Sequence, residues 1–521
     1  MIKGAMLSYL LLLSLTVSSQ ERFNIRTDMG LLSNVCDGIV ELENGYLAVG
    51  GGYLSTDTGI VYIMYSSLFD ADGSLLEIEE FVKQSGNYLT LPWSGLTQAS
   101  TQLESSMLGQ TYDETTETAA GFMANFNEEG DTISVILFHS PYIEDYGEDF
   151  IAPLDIEPST NADNSFFVSS NIFKLDGLTG TDSWIQRMTP DGETLWSYIY
   201  ATEANPDNCK AMLHTEIGGV LLGVWEAGND EVFAKFIELD SMGNELSEVT
   251  LETTNRINDL IINTSNEIFV ATTSPNEEFL LSGSIAKYNI NGEQIWELIL
   301  SEPAPFGVFQ EFTNIVHSQD DNYVVGGINY EYVTNPTDTS GTRNKNGWLV
   351  KINDDGDVIW DRKFHYVNSP SDSHTLNDLK ATSDGGYIFC GEATDNDPDL
   401  EFSEGPPQQG WLVKVDEYGC LVEDCQLSDG INVIENDGAI EYFKAGPIPA
   451  GQFLNIYQSL NSPHGAIYQL IDMNGRVLED FPAMSKGTTM MLDVSKYNSG
   501  TYLLNLMDGG KLLQSQKIIK Q

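Results

Sequence analysis

The segment with the clearest potential for ion chemistry is DNDPDLE at residues 395–401. Its acidic side chains occupy alternating positions: Asp395, Asp397, Asp399 and Glu401. Carboxylate oxygens are the ligands that Ca²⁺ prefers. The segment lacks the glycine of an EF-hand loop, and a proline stiffens its backbone. Two interpretations stay open, a calcium site and an ordinary solvated loop.

Histidine and cysteine spacing gives little support for a transition-metal site. The six histidines form no His-x-His or His-Glu-x-x-His pair, which are spacings found in zinc sites. Cys420 and Cys425 lie five residues apart and are predicted to form a disulfide, an interpretation that requires an oxidising compartment. Metal ligation is the alternative for this pair. Cys390 lies in the apolar run YIFCG and is expected to be buried and inert.

The acidic residues are too numerous to identify a catalytic pair. A glycoside hydrolase needs two carboxyl groups placed across a cleft, and 78 acidic residues offer many such pairs. The sequence contains no nucleophile-elbow motif and no phosphate-binding loop. We expect no cofactor other than calcium, and a polysaccharide-degrading enzyme stays open as an alternative.

Aromatic and cationic side chains in long polar segments are the other candidates for ligand contact. Aromatic rings beside polar groups suit contacts with sugars or proteins. The candidates are Trp93, Tyr142, Tyr146, Tyr330, Tyr332 and Arg343. Each could equally pack against its own loop. Whether these side chains can contact a ligand therefore depends on the strands that carry the segments.

A repeat between residues 36 and 425 supplies those elements. Its clearest copies are DDNYVVGG…GWLVKINDDGDVIW (320–360) and DGGYIFCG…GWLVKVDEYGCLV (384–422). One glycine aligns each copy, and these seven repeat glycines are Gly73, Gly130, Gly192, Gly243, Gly292, Gly356 and Gly419. In residues 312–364, four β-branched and aromatic runs alternate with Asp, Asn and Gly turns, which predicts four strands. Seven such units predict an all-β fold, a seven-bladed β-propeller.

Strand direction assigns the connections to two ends of such a fold. Connections between the second and third strands, and between successive units, lie at one end. The long segments 82–103, 139–163, 331–346 and 394–410 all belong to this class, so we expect function there. The last unit ends early, and residues 22–27 resemble a fourth strand. They are predicted to close the last blade, because an open ring leaves exposed sheet edges.

Charge and the N-terminal residues indicate where the protein acts. The chain has 24 basic and 78 acidic residues, a formal net charge of −54, which repels nucleic acid. Residues 1–19 combine one lysine, an apolar run and small residues before Gln20, which predicts a cleaved signal peptide. No later apolar run is long enough to span a membrane.

The pattern changes after about residue 440, beyond a predicted linker at 431–445 and a propeller at 20–430. Residues 446–521 resemble the C-terminal sorting domain of the type IX secretion system of Bacteroidota. The likeness rests on Pro447, Pro449, Leu454–Ile456, Asp472, Gly475–Val477, Leu492–Ser495, Tyr497, Ser499–Tyr502 and Lys517–Lys520. It implies a small β-sandwich, the secretion machinery as partner, and passage through the periplasm and outer membrane. It also implies removal of the tail and surface attachment or release. An ordinary binding sandwich is the alternative.

The repeat is similar to bacterial extracellular propellers built from DGGY…G…WLVK units, many of which have no assigned activity. We therefore expect a monomer at the cell surface or outside the cell that binds glycan or protein without catalysis. The enzyme alternative would place its site at the same long-loop end.

Overall fold

The computed structural model describes residues 22–57, 59–85, 91–92, 95–98, 105–113, 115–141, 151–160, 163–173, 181–202, 207–227, 232–251, 256–275, 281–300, 310–334, 341–366, 373–394, 408–422, 425, 442–446, 453–458, 466–472, 476–483, 489–508 and 511–520. The strands defined within these residues make the chain an all-β protein. It divides into two compact units, residues 1–423 and residues 424–521.

The first unit consists of small sheets that follow one another along the chain, with the first strand of each here called its inner strand. A separate strand, β1 (Phe23–Thr27), precedes sheet 1, formed by β2 (Ser33–Leu42), β3 (Gly45–Thr56), β4 (Gly59–Asp70) and β5 (Leu75–Ser85). Sheet 2 contains β6 (Leu91–Pro92), β7 (Thr97–Gln98), β8 (Ser105–Asp113), β9 (Thr118–Phe126) and β10 (Thr132–Phe138). Sheet 3 contains β11 (Ile151–Pro158), β12 (Phe166–Phe173), β13 (Thr181–Met188) and β14 (Thr194–Tyr200).

Three further four-strand groups and one of three strands complete this unit. Sheet 4 contains β15 (Asp207–His214), β16 (Val220–Ala227), β17 (Val232–Leu239) and β18 (Glu245–Thr250). Sheet 5 contains β19 (Arg256–Ile262), β20 (Glu267–Pro275), β21 (Leu281–Asn289) and β22 (Gln294–Leu300). Sheet 6 contains β23 (Glu311–His317), β24 (Tyr323–Thr334), β25 (Gly341–Ile352) and β26 (Val358–Phe364). Sheet 7 contains β27 (Ser373–Ala381), β28 (Tyr387–Thr394) and β29 (Gln408–Val415), and it touches sheet 6 through one parallel pair, Lys345 with Ser373.

These small antiparallel sheets are consistent with the blades of a propeller. The four strands predicted in residues 312–364 correspond to β23–β26. The prediction that all of 139–163 is a long insertion is wrong, because residues 151–158 form the inner strand β11. Its sequence, IAPLDIEP, contains two prolines and lacks alternation. Pro153 lies at a β-bulge, which is where a strand tolerates proline.

The turn that contains the repeat glycine has the same geometry throughout the repeat. All seven repeat glycines have φ between 71° and 88°, a region that glycine enters without the steric cost of a Cβ. Each donates its N–H to the carbonyl three residues earlier, as Gly243 does to Asp240 at 3.0 Å. A side chain also caps several of these turns; the Asp240 carboxylate accepts from the N–H groups of Met242 and Asn244.

The repeat glycines are also where neighbouring sheets pack. A Cβ on Gly243 would lie 2.7 Å from the ring of Trp196 in sheet 3, and one on Gly356 would lie 3.2 Å from Trp296 in sheet 5. The indole N–H of Trp196 donates to the Ser241 carbonyl of the same turn at 3.0 Å. The recurring aromatic residues therefore pack between sheets. Five of these aromatic residues each stand eight positions before a repeat glycine and are at most 5% exposed: Tyr65, Phe122, Trp184, Trp348 and Trp411.

The segment before the repeat belongs to the last sheet. Strand β1 pairs antiparallel with β29, from Phe23 opposite Lys414 to Thr27 opposite Gly410. Its Phe23 side chain packs into a hydrophobic cluster with Tyr46 of sheet 1 and Leu412 of sheet 7.

The second unit has two sheets that share one hydrophobic core. The first contains β30 (Phe443–Gly446), β31 (Phe453–Gln458) and β34 (Thr489–Asp493). The second contains β32 (Ile467–Asp472), β33 (Val477–Pro482), β35 (Gly500–Asp508) and β36 (Lys511–Lys520). Tyr468, Leu504 and Ile518 lie at the centre of the core. Strand β30 begins inside the segment predicted to be a linker.

Candidate functional site

Five inner strands, β11, β15, β19, β23 and β27, line a cavity of about 490 Å³, here called the central cavity. Each of these strands carries a β-bulge at the equivalent position, and so does β2. A bulge bends the strand and changes the direction of one side chain. The repeated bulge therefore decides which side chains enter the cavity wall.

Three aspartates directly after the bulge connect neighbouring inner strands. The Asp155 carboxylate accepts the N–H of Met212 at 3.0 Å, and Asp259 accepts that of Ile315 at 2.8 Å. Asp378 accepts the N–H of Ile39 at 2.9 Å, which links sheet 7 to sheet 1.

Each of the three also accepts the N–H of the residue that follows it: Ile156, Leu260 and Leu379 respectively. These residues were not among the candidates predicted from the sequence. Their signal is the short pattern Leu/Asn-Asp-Ile/Leu, at residues 154–156, 258–260 and 377–379.

The charges of the central cavity interact strongly because they are buried together. Burial raises the pKa of Asp155 well above its ordinary value, and the charges of Asp259 and Glu157 raise it further. Burial also raises the pKa of Asp259 to about 7, although its two N–H donors favour the charged form. Burial alone would lower the pKa of Lys380, but the Asp378 carboxylate 2.7 Å away more than offsets this, so its pKa is raised.

Charged groups also surround the cavity at the loop end, defined here as the end with the second-to-third-strand and inter-sheet connections. Burial raises the pKa of Glu311, and the cations of Lys210, Lys345 and Arg256 partly offset that shift. The Arg256 guanidinium lies 5.1 Å from the centroid of the Trp225 ring. This cluster of three cations is notable in a chain with only 24 basic residues.

A chain of hydrogen bonds connects sheets 6, 7 and 1 at the same end. The Lys345 ammonium donates to the Thr375 hydroxyl at 2.8 Å, which donates to Glu392 at 3.1 Å. The Gln408 amide donates to Glu392 and accepts from the Ser33 hydroxyl. Charged and amide groups therefore form part of the loop-end surface.

The structure brings together three of the six predicted contact residues. Tyr330 lies half-buried on β24 opposite Lys345, and the backbones of Tyr332 and Arg343 are paired in the same hairpin. Trp93, Tyr142 and Tyr146 lie outside the described residues. The predicted calcium ligands Asp395, Asp397, Asp399 and Glu401 also lie outside them.

The cysteines of the described residues fall into two groups. Cys420 and Cys425 are disulfide-bonded, while Cys36, Cys209 and Cys390 are free and buried. In the described part of the chain, no group of three or more His, Cys, Asp or Glu side chains is placed to hold a metal ion. No helix among the described residues has the length and hydrophobicity needed to cross a membrane.

Solved structures give only remote similarities. A Hadza microbial sialidase is 12% identical, with a TM-score of 0.38, over 58% of this chain and 65% of its own. A protein of unknown function from Dyadobacter fermentans is 11% identical, with a TM-score of 0.38, over 63% of this chain and 97% of its own. A Pyrococcus horikoshii acylaminoacyl peptidase is 10% identical, with a TM-score of 0.42, over 85% of this chain and 61% of its own. At these TM-scores the similarities support no functional conclusion.

The C-terminal unit matches a known domain family. No curated protein matches the chain, but residues 445–521 match the family described as "Secretion system C-terminal sorting domain". Their paired β-sheets and shared core agree with the small sandwich that the resemblance implied. The protein therefore carries a type IX sorting domain at residues 445–521, which indicates export to the cell surface or beyond.

Proposed function

We propose that the first unit is a closed seven-bladed propeller in which β1 is the fourth strand of the last blade. Packing at the repeat glycines supports this. Trp360, on the fourth strand of sheet 6, packs on Gly419 of sheet 7, where a Cβ would lie 3.0 Å from its ring. Phe23 of β1 packs in the same way on Gly73 of sheet 1, at 2.7 Å. Strand β1 thus makes the contact that a fourth strand makes with the next blade.

We further propose that this propeller is an exported, non-catalytic binding module for glycan or protein, and that its contact surface is the loop end. The observation that carries the proposal is the β24–β25 hairpin, where both strands have 12 residues. It extends the loop end of sheet 6 and carries Tyr330, Tyr332 and Arg343. Regular short turns occupy the opposite end, here called the turn end.

The state of the buried carboxylates favours binding over catalysis. Asp155, Asp259 and Asp378 each accept two or more backbone N–H groups, so their oxygens already hold the inner strands in place. A general acid or base needs an oxygen that can reach the substrate. A polysaccharide-degrading enzyme is the alternative that the binding experiment also tests.

Glycan-array binding of the mature chain tests the proposal. We expect retention of one glycan class, and a loss of about tenfold or more in the Tyr330→Ala/Tyr332→Ala double variant. Tyr418→Ala is the matched control, because Tyr418 is 42% exposed on a turn at the opposite end. Equal losses in both variants, or no retention of any glycan or protein ligand, would contradict the proposal.

Product analysis of the retained glycan separates binding from catalysis. An unchanged glycan after prolonged incubation agrees with a binding module. New reducing ends or unsaturated sugars would replace the proposal with the enzyme alternative.

A further inference from the structure

Two free thiols lie together where sheet 7 packs against sheet 1. Cys36 on β2 is 2% exposed and Cys390 on β28 is fully buried. Both belong to one hydrophobic cluster, with Phe23, Tyr46 and Leu412 around them. The two residues are far apart in the sequence but neighbours in the fold.

Contacts with β27 place the two cysteines side by side: the Asn377 side-chain amide donates to the Cys36 carbonyl at 3.0 Å, and the next residue, Asp378, pairs with Cys390. Burial raises the pKa of the Cys390 thiol, and a side-chain hydrogen bond with Cys36 raises it further. Burial likewise raises the pKa of the nearby Tyr65 hydroxyl, with added contributions from the charges of Cys36, Asp37 and Cys390. The two thiols therefore lie in the same buried cluster on adjoining strands of sheets 7 and 1, the kind of short separation that a disulfide requires.

Sheet 4 provides an internal comparison. Cys209 occupies the same place before the bulge of β15 that Cys36 occupies in β2, and each Sγ lies 3.7 Å from a carbonyl two residues on. The equivalent of Cys390 in the preceding sheet is Ser169, whose hydroxyl donates to the Cys209 carbonyl at 2.8 Å. The thiol pair therefore occurs at the contact between the last and first sheets and not at this internal one.

We propose that Cys36 and Cys390 form a disulfide in the exported protein and so join sheet 7 covalently to sheet 1. One cysteine thiolate attacks the disulfide of a thiol–disulfide oxidant, and the second cysteine then displaces the oxidant from this mixed disulfide. A sulfur–sulfur bond forms in the protein. The oxidant's disulfide takes up two electrons and two protons and leaves as a dithiol.

Burial sets when this reaction takes place. Thiolate is the reacting form, and the raised pKa of Cys390 leaves little of it in the folded protein. Both side chains are also buried, which shields the sulfurs from an oxidant in the folded protein. Oxidation therefore precedes the packing of sheet 7 on sheet 1, and a chain that folds in a reducing compartment keeps both thiols.

Alkylation of the denatured, unreduced chain, followed by peptide mass mapping, tests the proposal. In protein collected after export, we expect alkylation at Cys209 alone and a linked pair of peptides containing Cys36 and Cys390 that separates on reduction. The same chain made in a reducing cytoplasm should be alkylated at these three positions and also at Cys420 and Cys425, whose disulfide needs an oxidising compartment. Alkylation of both Cys36 and Cys390 in the exported protein would overturn the proposal.

Two variants add a stability readout and a matched control. Reduction in denaturant, followed by refolding under reducing conditions, should lower the apparent melting temperature of the exported wild type by about 5 °C, because the bond closes a very long loop. Cys209→Ser should keep both the linked peptides and this shift. Cys390→Ser should lose both and leave Cys36 open to alkylation. If reduction still lowers the melting temperature of the Cys390→Ser variant, the shift comes from the Cys420–Cys425 disulfide. That result would count against a stabilising role for the Cys36–Cys390 disulfide.

Discussion

Asp259 holds its proton in the folded protein up to about neutral pH, so stability depends on pH through this side chain. Its folded pKa is about 7 and lies above the ordinary value. The contribution is fully present below about pH 4 and is lost as the pH rises through 7. We expect the free energy of unfolding to fall over this window, by at most about 4 kcal/mol. Asp259→Asn should flatten the fall in chemical-denaturation curves at several pH values.

Asp240 is the matched control, because its shift has the opposite sign. Hydrogen bonds from Asn244 and from backbone N–H groups lower the pKa of this exposed turn residue. Its contribution is present above the unfolded pKa and lost as the pH falls through the folded one. Asp240→Asn should therefore change stability at neutral pH and leave the slope between pH 4 and 7 intact. A slope unchanged in Asp259→Asn would contradict the assignment.

The predicted calcium site is tested by replacing two of its carboxylates. If residues 395–401 bind calcium, millimolar Ca²⁺ raises the melting temperature, since binding to the folded state alone stabilises it. Asp395→Asn/Asp397→Asn should abolish that shift. Glu128→Gln/Glu129→Gln, two exposed positions in a turn of sheet 2, serves as the control for charge removal alone. No Ca²⁺-dependent shift in the wild type would eliminate the site.

Single residues were the hardest to predict from sequence. Asp155, Asp259 and Asp378 are three of 78 acidic residues, and their position depends on a bulge that only strand pairing reveals. The apolar pattern around Cys390 correctly predicted that its side chain is buried. It did not predict that Cys36, which is distant in the sequence, lies in the same cluster. By contrast, Cys420 and Cys425 are close in sequence, so their disulfide could be predicted from spacing.

At the scale of elements, the turn with a repeat glycine contributes both backbone geometry and packing, and two substitutions separate these effects. Gly243→Ala places a side chain at φ 80° and 2.7 Å from the Trp196 ring. We expect a loss of about 3 kcal/mol in the free energy of unfolding. Gly30→Ala has a similar φ of 69° with no atom within 4 Å, and should lose only about 1 kcal/mol. Equal losses in denaturant unfolding would show that packing on the tryptophan contributes nothing.

Two glutamine side chains secure the first strand of the sorting domain. The Gln514 amide accepts from the N–H groups of Tyr442 and Phe443 and donates to the Phe443 carbonyl. Gln516 accepts from the N–H of Ala445 and donates to its carbonyl, both at 2.8 Å. These bonds take the place of a neighbouring strand for β30, whose other edge pairs with β31.

Gln514→Ala/Gln516→Ala should therefore loosen β30 before the rest of the domain. We expect the amides of Phe443 and Ala445 to lose at least tenfold in hydrogen-exchange protection, while Leu504 and Ile518 stay protected. Ser515→Ala is the control, because its side chain lies on the opposite face of β36 and its hydroxyl donates to Asn505 of β35. Unchanged exchange at Phe443 would mean that hydrophobic burial alone holds this strand.

The regular elements were predictable because their signals are local. Each turn with a repeat glycine is set by four consecutive residues, so the strand pairs around it follow from the sequence. Strand β11 was missed because its prolines and its bulge conceal the alternation that identifies a half-buried strand. The first strand of the sorting domain was also not predicted, because the groups that bond to its outer edge come from Gln514 and Gln516 at the far end of the domain.

At the scale of the whole molecule, the contacts between sheets 7 and 1 have several independent components. Strand β1 pairs with β29, Asp378 accepts the N–H of Ile39, and Cys36 and Cys390 belong to one hydrophobic cluster. The two units also differ in charge. Residues 442–521 contain 7 basic and 5 acidic residues, so the whole acidic excess lies upstream of the sorting domain. The exported unit and its secretion signal thus have different surface chemistries.

Phe23→Ala tests whether these contacts make the first unit a single cooperative ring. Phe23 is 8% exposed, meets the Tyr46 ring edge-on at 5.8 Å and covers Gly73. Removing its ring should lower the free energy of unfolding by about 3 kcal/mol. In a closed ring the loss reaches both sides of the contact, so amides in β2–β4 and in β27–β29 should lose hydrogen-exchange protection together. Leu32→Ala, at a side chain that is 47% exposed, should change neither quantity. Loss of protection confined to β1 would mean that the strand is only an appendage of sheet 7.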